Sequence, residues 1–122
     1  MEKARFGLPK THRLLARPEF GRVLDGQCRA SNEFFTVYGL PNERPYARLG
    51  MVVSKRFANK AVDRNRLKRI IRETFRLMSE SLDGFDVVVF TKAGAIAQPN
   101  SKLQQMLTKL LDRVNKKCAN YC

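Results

Sequence analysis

The middle and the end of the chain have their apolar residues at helical spacing. In the middle segment these residues recur every three or four positions, at Leu67, Ile70, Ile71, Phe75 and Met78. This period predicts an amphipathic helix that buries one stripe of side chains. The last segment repeats the pattern, with apolar residues at positions 103, 106, 107, 110, 111 and 114. The capping box Ser101-Lys102-Leu103-Gln104 predicts that this closing helix starts at Ser101.

Three shorter segments have the composition of β-strands. Residues 34–40 are mainly aromatic and β-branched, and residues 47–54 follow a turn rich in Pro and Asn. Residues 86–90 form a run that is apolar throughout after Asp86. The first two segments predict a pair of antiparallel strands. The third is typical of a strand that is covered on both faces. We therefore expect a strand-helix-strand crossover over residues 47–92.

The N-terminal part has no long periodic segment. Residues 1–12 are expected to form a flexible basic arm, and Pro18 suits the first turn of a short helix that carries Phe20. Residues 116–122 are expected to form a short tail. A chain of 122 residues has the size of one domain. We predict a single domain over residues 1–122 of the α+β class, an α/β sandwich with the order helix, strand, strand, helix, strand, helix.

Positive charge is concentrated on the predicted middle helix. The chain has 24 Lys and Arg residues and 11 Asp and Glu residues, a net charge of +13. Residues 55–76 hold nine of these cations and two carboxylates, or +7. A row at intervals of four consists of Arg64, Lys68, Arg72 and Arg76. These like charges repel one another, and a phosphate bound near the helix N-terminus would relieve the repulsion. The row predicts a polyanionic partner, with nucleic acid first and an anionic membrane surface second.

Residues suited to catalysis by the protein itself are sparse. His12 is the only histidine, and the 11 acidic residues show no D-x-D or similar metal-ligand spacing. Asp83 and Asp86 flank the start of a predicted strand, where turn formation is their expected role. The glycine-rich phosphate loops of nucleotide-hydrolysing enzymes are absent. If the protein takes part in catalysis, we expect another molecule to supply the reactive groups.

Hydropathy and cysteine usage bear on the compartment. No segment approaches the roughly 20 apolar residues of a membrane helix, and the N-terminus lacks the apolar core of a signal peptide. We therefore expect a cytoplasmic protein without a membrane partner. Cys28, Cys118 and Cys122 are an odd set without C-x-x-C spacing, which favours reduced thiols over a disulfide framework.

Aromatic residues give a second indication of RNA binding. Alternation with period two places Phe34 and Tyr38 on one face of the first predicted strand and Phe35 on the other. Core packing is the ordinary role of such residues. A sheet face that also carries Thr36, beside a short helix with Phe20, is equally a surface on which unpaired bases stack, at about 1–3 kcal/mol per base. A basic helix and an aromatic groove would let one protein hold two kinds of RNA element.

The basic segment also carries a motif. The chain resembles the protein subunit of bacterial ribonuclease P, whose hallmark is an Arg-Asn-Arg run followed by a basic helix. The matching residues are Ser54-Lys55-Arg56 and Ala61-Val62-Asp63-Arg64-Asn65-Arg66-Leu67-Lys68-Arg69-Ile70-Ile71-Arg72-Glu73-Thr74-Phe75-Arg76. Supporting matches lie in residues 17–24, 35–38, 48–55 and 86–92.

This resemblance implies that the protein joins a catalytic RNA in a ribonucleoprotein and assists removal of the 5′ leader of precursor tRNA. In this endoribonuclease the reactive groups would belong to the RNA, with no catalytic or metal-binding residue on the protein. The resemblance implies contacts with the catalytic RNA from Lys55, Arg56, Arg64, Asn65, Arg66, Lys68 and Arg69. It implies a leader-binding cleft lined by Phe20, Thr36, Tyr38 and Arg72.

The resemblance also implies a ribosomal-protein-like fold with a left-handed crossover, whereas most strand-helix-strand units are right-handed. No cofactor is expected on the protein alone, and magnesium is expected at the active site of the RNA. The expected partners are the catalytic RNA and precursor tRNA, without an obligate protein partner.

The alternative function is that of a structural RNA-binding protein of ribosomal type, for which a small basic domain is equally suitable. A stand-alone protein nuclease is a third, weaker hypothesis.

Overall fold

A computed structural model describes residues 28–42, 44–54, 60–78 and 81–119. In chain order the elements are β1 (Cys28–Ser31), β2 (Phe35–Pro41), β3 (Arg48–Val52), α1 (Ala61–Leu77), β4 (Phe85–Thr91), a 3-10 helix (Ala93–Ala97) and α2 (Asn100–Ala119). The predicted basic arm, the short helix with Phe20, and the residues Lys55 and Arg56 lie outside the described residues.

The four strands form one sheet in the order β1-β2-β4-β3. β2 is antiparallel to both β1 and β4, and β3 is parallel to β4. The prediction that β2 and β3 pair directly is wrong, because β4 lies between them. β4 is the most apolar strand, and Val87, Val88 and Val89 are fully buried in it. A central position with neighbours on both edges suits such a strand.

The predicted crossover is confirmed, since α1 connects the parallel strands β3 and β4. Its left-handed sense stays a prediction. The turn that leads into β4 ends at Gly84, whose φ of 89° lies in the left-handed region that glycine adopts at low cost. The carbonyl of Gly84 accepts a hydrogen bond from the Asn42 N–H at 2.8 Å, which ties this turn to the end of β2.

Both helices pack on the same face of the sheet. α1 buries Leu67, Ile70, Ile71, Thr74 and Phe75, and α2 buries Leu103, Leu107, Leu110, Leu111 and Val114. They join one core cluster with Phe35, Val37, Val87 and Val89 of the sheet. Helical spacing therefore predicted most of the helix side of this core. Thr74 was not predicted; its hydroxyl donates to the Ile70 carbonyl at 2.7 Å, which satisfies it inside the core.

The ends of α2 differ from the prediction. The helix begins at Asn100, so Ser101 lies in the first turn and does not cap it. The helix continues to Ala119, so residues 116–119, predicted as part of a tail, are helical. Lys116 and Lys117 in the last turn suit the negative end of the helix dipole.

A tight turn removes Phe34 from the face on which alternation placed it. The Asn32 side-chain oxygen accepts hydrogen bonds from the N–H groups of Phe34 and Phe35, both at 2.9 Å. β2 therefore starts at Phe35, and Phe34 is buried in the main core cluster. The prediction that Phe34 shares a face with Tyr38 is wrong, because period two holds only within the strand.

Cys28 is disulfide-bonded, so the expectation of reduced thiols is wrong for this residue. Cys28 is the first residue of β1. The number and spacing of the cysteines did not indicate this bond. Separately, no helix in the described part of the chain is long and apolar enough to cross a membrane.

Candidate nucleic-acid interface

The cations of α1 lie on more than one side of the helix. At about 100° per residue, Arg64, Lys68 and Arg72 form one row, and all three are half-buried. Asn65 and Arg69 are exposed. The helix carries six cations and two carboxylates in its sequence, a surplus of four positive charges. The cations occupy the sides of α1 that the buried residues leave. The predicted division of the helix into an apolar side and a cationic side is therefore confirmed.

The first turn of α1 suits an anion. Lys60 occupies the N-cap position with an extended backbone and no side-chain hydrogen bond to the helix. The first N–H groups of a helix have no partner within it and carry partial positive charge. Asp63 is the acidic residue of this turn, and Arg64 follows it directly. In α1 the N–H groups of Asp63 and Arg64 donate to the Lys60 carbonyl at 3.1 and 3.2 Å. The N–H groups of Ala61 and Val62, together with the cations one turn later, are therefore the ones that can hold a phosphate.

Arg66 faces away from the row and binds the rest of the protein. Two residues correspond to about 200° of helical rotation, so Arg66 lies across the helix from Arg64. Its guanidinium donates to the Ile96 carbonyl at 2.7 Å, to the Gln98 carbonyl at 3.3 Å and to Asn100 Oδ1 at 2.5 Å. These acceptors are neutral, so the positive charge stays uncompensated. Arg66 thus connects α1 to the segment that leads into α2, which its place in the Arg-Asn-Arg run did not predict.

The face of the sheet that points away from both helices carries a second apolar cluster. We call it the Tyr38 face; its side chains belong to Thr36, Tyr38, Leu40, Val52, Val88 and Phe90. Register places them together, since Tyr38 is opposite Val88, and Thr36 is opposite Phe90. Val88 is fully buried and the others are half-buried.

Tyr38 packs edge-on against Phe90. The ring centroids are 5.7 Å apart and the ring planes meet at 68°, a favourable aromatic geometry. Phe90 was not predicted as a site residue; the only signal in the sequence was an aromatic side chain at the end of an apolar strand segment. The two half-buried rings form a surface on which a base can stack.

Hydroxyl and ammonium groups continue this face toward the β1 edge. Thr36 Oγ1 lies 3.2 Å from Ser31 Oγ, and Lys92 Nζ donates to Ser31 Oγ at 2.9 Å. Lys92 Nζ also donates to the Asn32 carbonyl at 2.6 Å. The polar end of the Tyr38 face therefore carries a fixed positive charge held by neutral acceptors.

The structure divides the predicted leader-binding residues. Thr36 and Tyr38 share the Tyr38 face, whereas Arg72 belongs to α1, which packs on the opposite face. Phe20 lies outside the described residues. Of the residues predicted to contact the catalytic RNA, the structure brings Arg64, Asn65, Lys68 and Arg69 to the solvent-facing sides of α1, while Lys55 and Arg56 are outside the described ranges.

A buried ion pair closes the other end of the Tyr38 face. Arg48 Nε donates to Asp86 Oδ1 at 2.8 Å and Arg48 Nη2 to Asp86 Oδ2 at 2.7 Å, with side-chain exposures of 7% and 1%. Asn42 Nδ2 adds a hydrogen bond to Asp86 Oδ1 at 2.7 Å. The expectation that Asp86 forms a turn is wrong: it is a strand residue whose charge needs a buried partner. Among the described residues, no group of three or more His, Cys, Asp and Glu side chains could hold a metal.

Comparison with known proteins gives consistent matches. The family model described as Ribonuclease P matches residues 8–115. A ribonuclease P protein component from Pseudoalteromonas translucida is 39% identical over 118 residues, covering 97% of this chain and 83% of the relative. One from Methylococcus capsulatus is 37% identical over 114 residues, covering 93% and 89%.

Solved structures agree with these sequence matches. The RNase P protein of Staphylococcus aureus superimposes with a TM-score of 0.78 at 31% identity, covering 84% of this chain and 94% of that one. The RNase P protein of Thermotoga maritima gives a TM-score of 0.73 at 34% identity, covering 83% and 96%. The matches confirm the predicted α+β fold, and they favour the first hypothesis over a structural protein of ribosomal type.

Proposed function

Because the chain belongs to the ribonuclease P protein family, we propose that it holds the catalytic RNA with α1 and the 5′ leader of precursor tRNA with the Tyr38 face. Membership means that the protein works with ribonuclease P RNA in tRNA processing, as part of an endoribonuclease ribonucleoprotein. The division between two surfaces of this chain is the proposal.

The observation that carries the proposal is the cationic surplus of α1. Six cations stand against two carboxylates on this helix. Lys68 and Arg69 have no ion-pair partner among the described residues, and Arg66 binds neutral acceptors. A folded protein gains nothing from such self-repulsion, whereas RNA phosphates would offset it. The first turn of the helix adds backbone N–H groups to the same site.

The Tyr38 face supports single-stranded rather than duplex RNA. Unpaired bases expose the ring faces that stack on aromatic side chains, while the bases of a duplex are already stacked. Tyr38 and Phe90 supply rings, and Thr36 and Ser31 supply hydroxyl groups. The leader of a precursor tRNA is single-stranded RNA of this kind.

The protein contributes positioning and charge, and the RNA contributes the reactive groups with magnesium at its active site. Cations beside two polyanions reduce their repulsion, and a held leader places the scissile phosphate within reach of the RNA. Lys55 and Arg56 would extend the catalytic-RNA surface, and Phe20 would complete the leader cleft. Arg72 lies on α1 and would therefore contact the catalytic RNA rather than the leader.

Reconstitution tests this division of labour. The protein is mixed with the ribonuclease P RNA of its own organism at low magnesium, and leader removal is measured with and without protein. We expect the protein to raise the rate and to show no cleavage without the RNA. Cleavage by RNA-free protein, or an unchanged rate on adding it, would contradict the proposal.

The salt dependence of assembly tests the phosphate contacts. If six or more phosphates are neutralised, affinity for the catalytic RNA should fall on the order of a thousandfold between about 50 and 200 mM salt. Near-constant affinity over this range would exclude a surface that works through charge.

A further inference from the structure

α2 carries a second concentration of positive charge that the proposed function does not use. We call it the α2 stripe; all its members are exposed, and they are Lys102, Lys109, Arg113, Lys116 and Lys117. Helical geometry places them within about 100° of arc and over about 22 Å of helix length. A groove between α2 and α1 is lined on the α2 side by Gln104, Gln105 and Thr108, and Lys109 of the stripe borders it. The other four members of the stripe do not line this groove, so the stripe extends away from the cations of α1.

Few carboxylates oppose this charge. Asp112 is the only acidic residue within α2, and it lies 3.1 Å from Lys116 in an exposed pair that contributes little stability. Lys109 and Arg113 form no ion pair among the described residues. A solvated helix face usually alternates signs to gain favourable pairs four residues apart, whereas Lys109 and Arg113 repel each other at that spacing. The stripe thus favours an anionic partner.

The stripe is continuous with the edge of the Tyr38 face. Lys117 Nζ donates to the Arg29 carbonyl of β1 at 2.9 Å, and Lys102 Nζ lies 5.7 Å from the centre of the Phe34 ring, just before β2. Arg29 is exposed and stands opposite Tyr38 in the β1-β2 register, so its side chain belongs to the same side of the sheet as Tyr38. Cations therefore lead from the Tyr38 face, around the β1 edge, onto α2.

We propose that the α2 stripe binds the upstream part of long 5′ leaders, after the strand has crossed the Tyr38 face. This inference rests on the proposed function, because the Tyr38 face must first hold the leader. Single-stranded RNA is the occupant that fits: its backbone is flexible enough to bend around a strand edge, and only its phosphates need to meet the exposed Lys and Arg side chains. The stripe carries no aromatic side chain, so the contact is independent of leader sequence.

Leader length is the variable that tests the proposal. Precursors with leaders of about 5 and about 20 nucleotides, and mature tRNA, are bound to the complete ribonucleoprotein at several salt concentrations. The variant Lys109→Gln/Arg113→Gln/Lys116→Gln should bind the long-leader precursor about tenfold more weakly than the wild type, with a salt slope smaller by about 2. Its affinity for the short-leader precursor and for mature tRNA should not change. Circular dichroism checks that the fold is intact.

Two single substitutions serve as controls. Asp112→Asn removes the carboxylate beside Lys116 and should strengthen binding of the long leader about twofold, the opposite direction from the triple variant. Gln105→Ala, on the flank that faces α1, should leave every affinity unchanged.

The outcomes separate this inference from the function on which it rests. The wild type could bind the short-leader precursor more tightly than mature tRNA, but the long-leader precursor no more tightly than the short one. That result would overturn the role of the α2 stripe alone. If the short leader adds no affinity over mature tRNA, the leader does not bind the Tyr38 face. Both the proposed function of that face and the present inference would then be wrong. An equal loss of the triple variant on all three RNAs would assign the stripe to the catalytic RNA or to the tRNA body, and would also overturn the proposal.

Discussion

The two faces of the sheet use the same four strands for different purposes. The face toward the helices buries Phe35, Val37, Val87 and Val89 in the main core cluster. The Tyr38 face keeps two aromatic rings half-buried and adds hydroxyl groups. Burial of apolar side chains on the first face stabilises the fold. On the second face the aromatic rings and hydroxyl groups stay partly exposed, which is typical of a surface that binds a ligand.

The Tyr38 side of the sheet also contains one buried ion pair. Arg48 and Asp86 lie opposite each other there and are almost fully buried. Their role is structural, because both side chains are almost fully buried and hydrogen bonds join them to each other and to Asn42. The Tyr38 face is therefore structural at the Arg48 end, and the proposed function places RNA at the Tyr38 and Ser31 end.

The largest expected effect is a loss of stability when the Arg48–Asp86 pair is broken. Arg48→Ala leaves the Asp86 carboxylate buried without its cation, and it should lower the free energy of unfolding by about 3–5 kcal/mol. Urea denaturation of the protein without RNA measures the loss. The control is Arg44→Ala, because Arg44 is exposed and should change stability by less than about 0.5 kcal/mol. A loss below about 1 kcal/mol for Arg48→Ala would mean that the pair does not support the fold.

A smaller effect should distinguish the binding end of the Tyr38 face. Tyr38→Ala removes a stacking ring worth about 1–3 kcal/mol, so precursor tRNA should bind about 5- to 150-fold more weakly. Mature tRNA, which has no leader, should bind as before. Tyr38→Phe keeps the ring and should retain most of the affinity. If Tyr38→Ala weakens the binding of both RNAs equally, and circular dichroism shows an intact fold, then the leader does not bind the Tyr38 face.

The smallest effect concerns the two sides of α1. Arg66→Lys keeps the charge but cannot reach three acceptors at once, so it should lower the free energy of unfolding by about 1–2 kcal/mol. Arg69→Lys, at an exposed position, should change it by less than about 0.5 kcal/mol. Both are measured by urea denaturation without RNA. If the two variants have equal stability, the Arg66 contacts between α1 and the start of α2 do not stabilise the fold.

Local patterns predicted the elements that bury a regular stripe of side chains. α1 and α2 were expected from their period of three to four residues, β2 and β3 from their composition on either side of a turn, and β4 from its apolar run. β1 was missed: its sequence, Cys-Arg-Ala-Ser, has no β-branched or aromatic residue, and it becomes a strand by pairing with β2. The exclusion of Phe34 from the Tyr38 face depends likewise on the Asn32 turn, which period alone does not reveal.

The sequence by itself determined the charge surplus, the amphipathic division of both helices and the family, since each depends on residues close together along the chain. Only the tertiary structure decided that β4 separates β2 from β3, that Arg48 pairs with Asp86, and that Arg66 holds the start of α2. The first arrangement places the most apolar strand in the interior of the sheet, with a hydrogen-bonded neighbour on each edge. The other two join groups 38 and 30 to 34 residues apart. Such contacts depend on how the packed elements meet in space, and no spacing along the sequence carries that information.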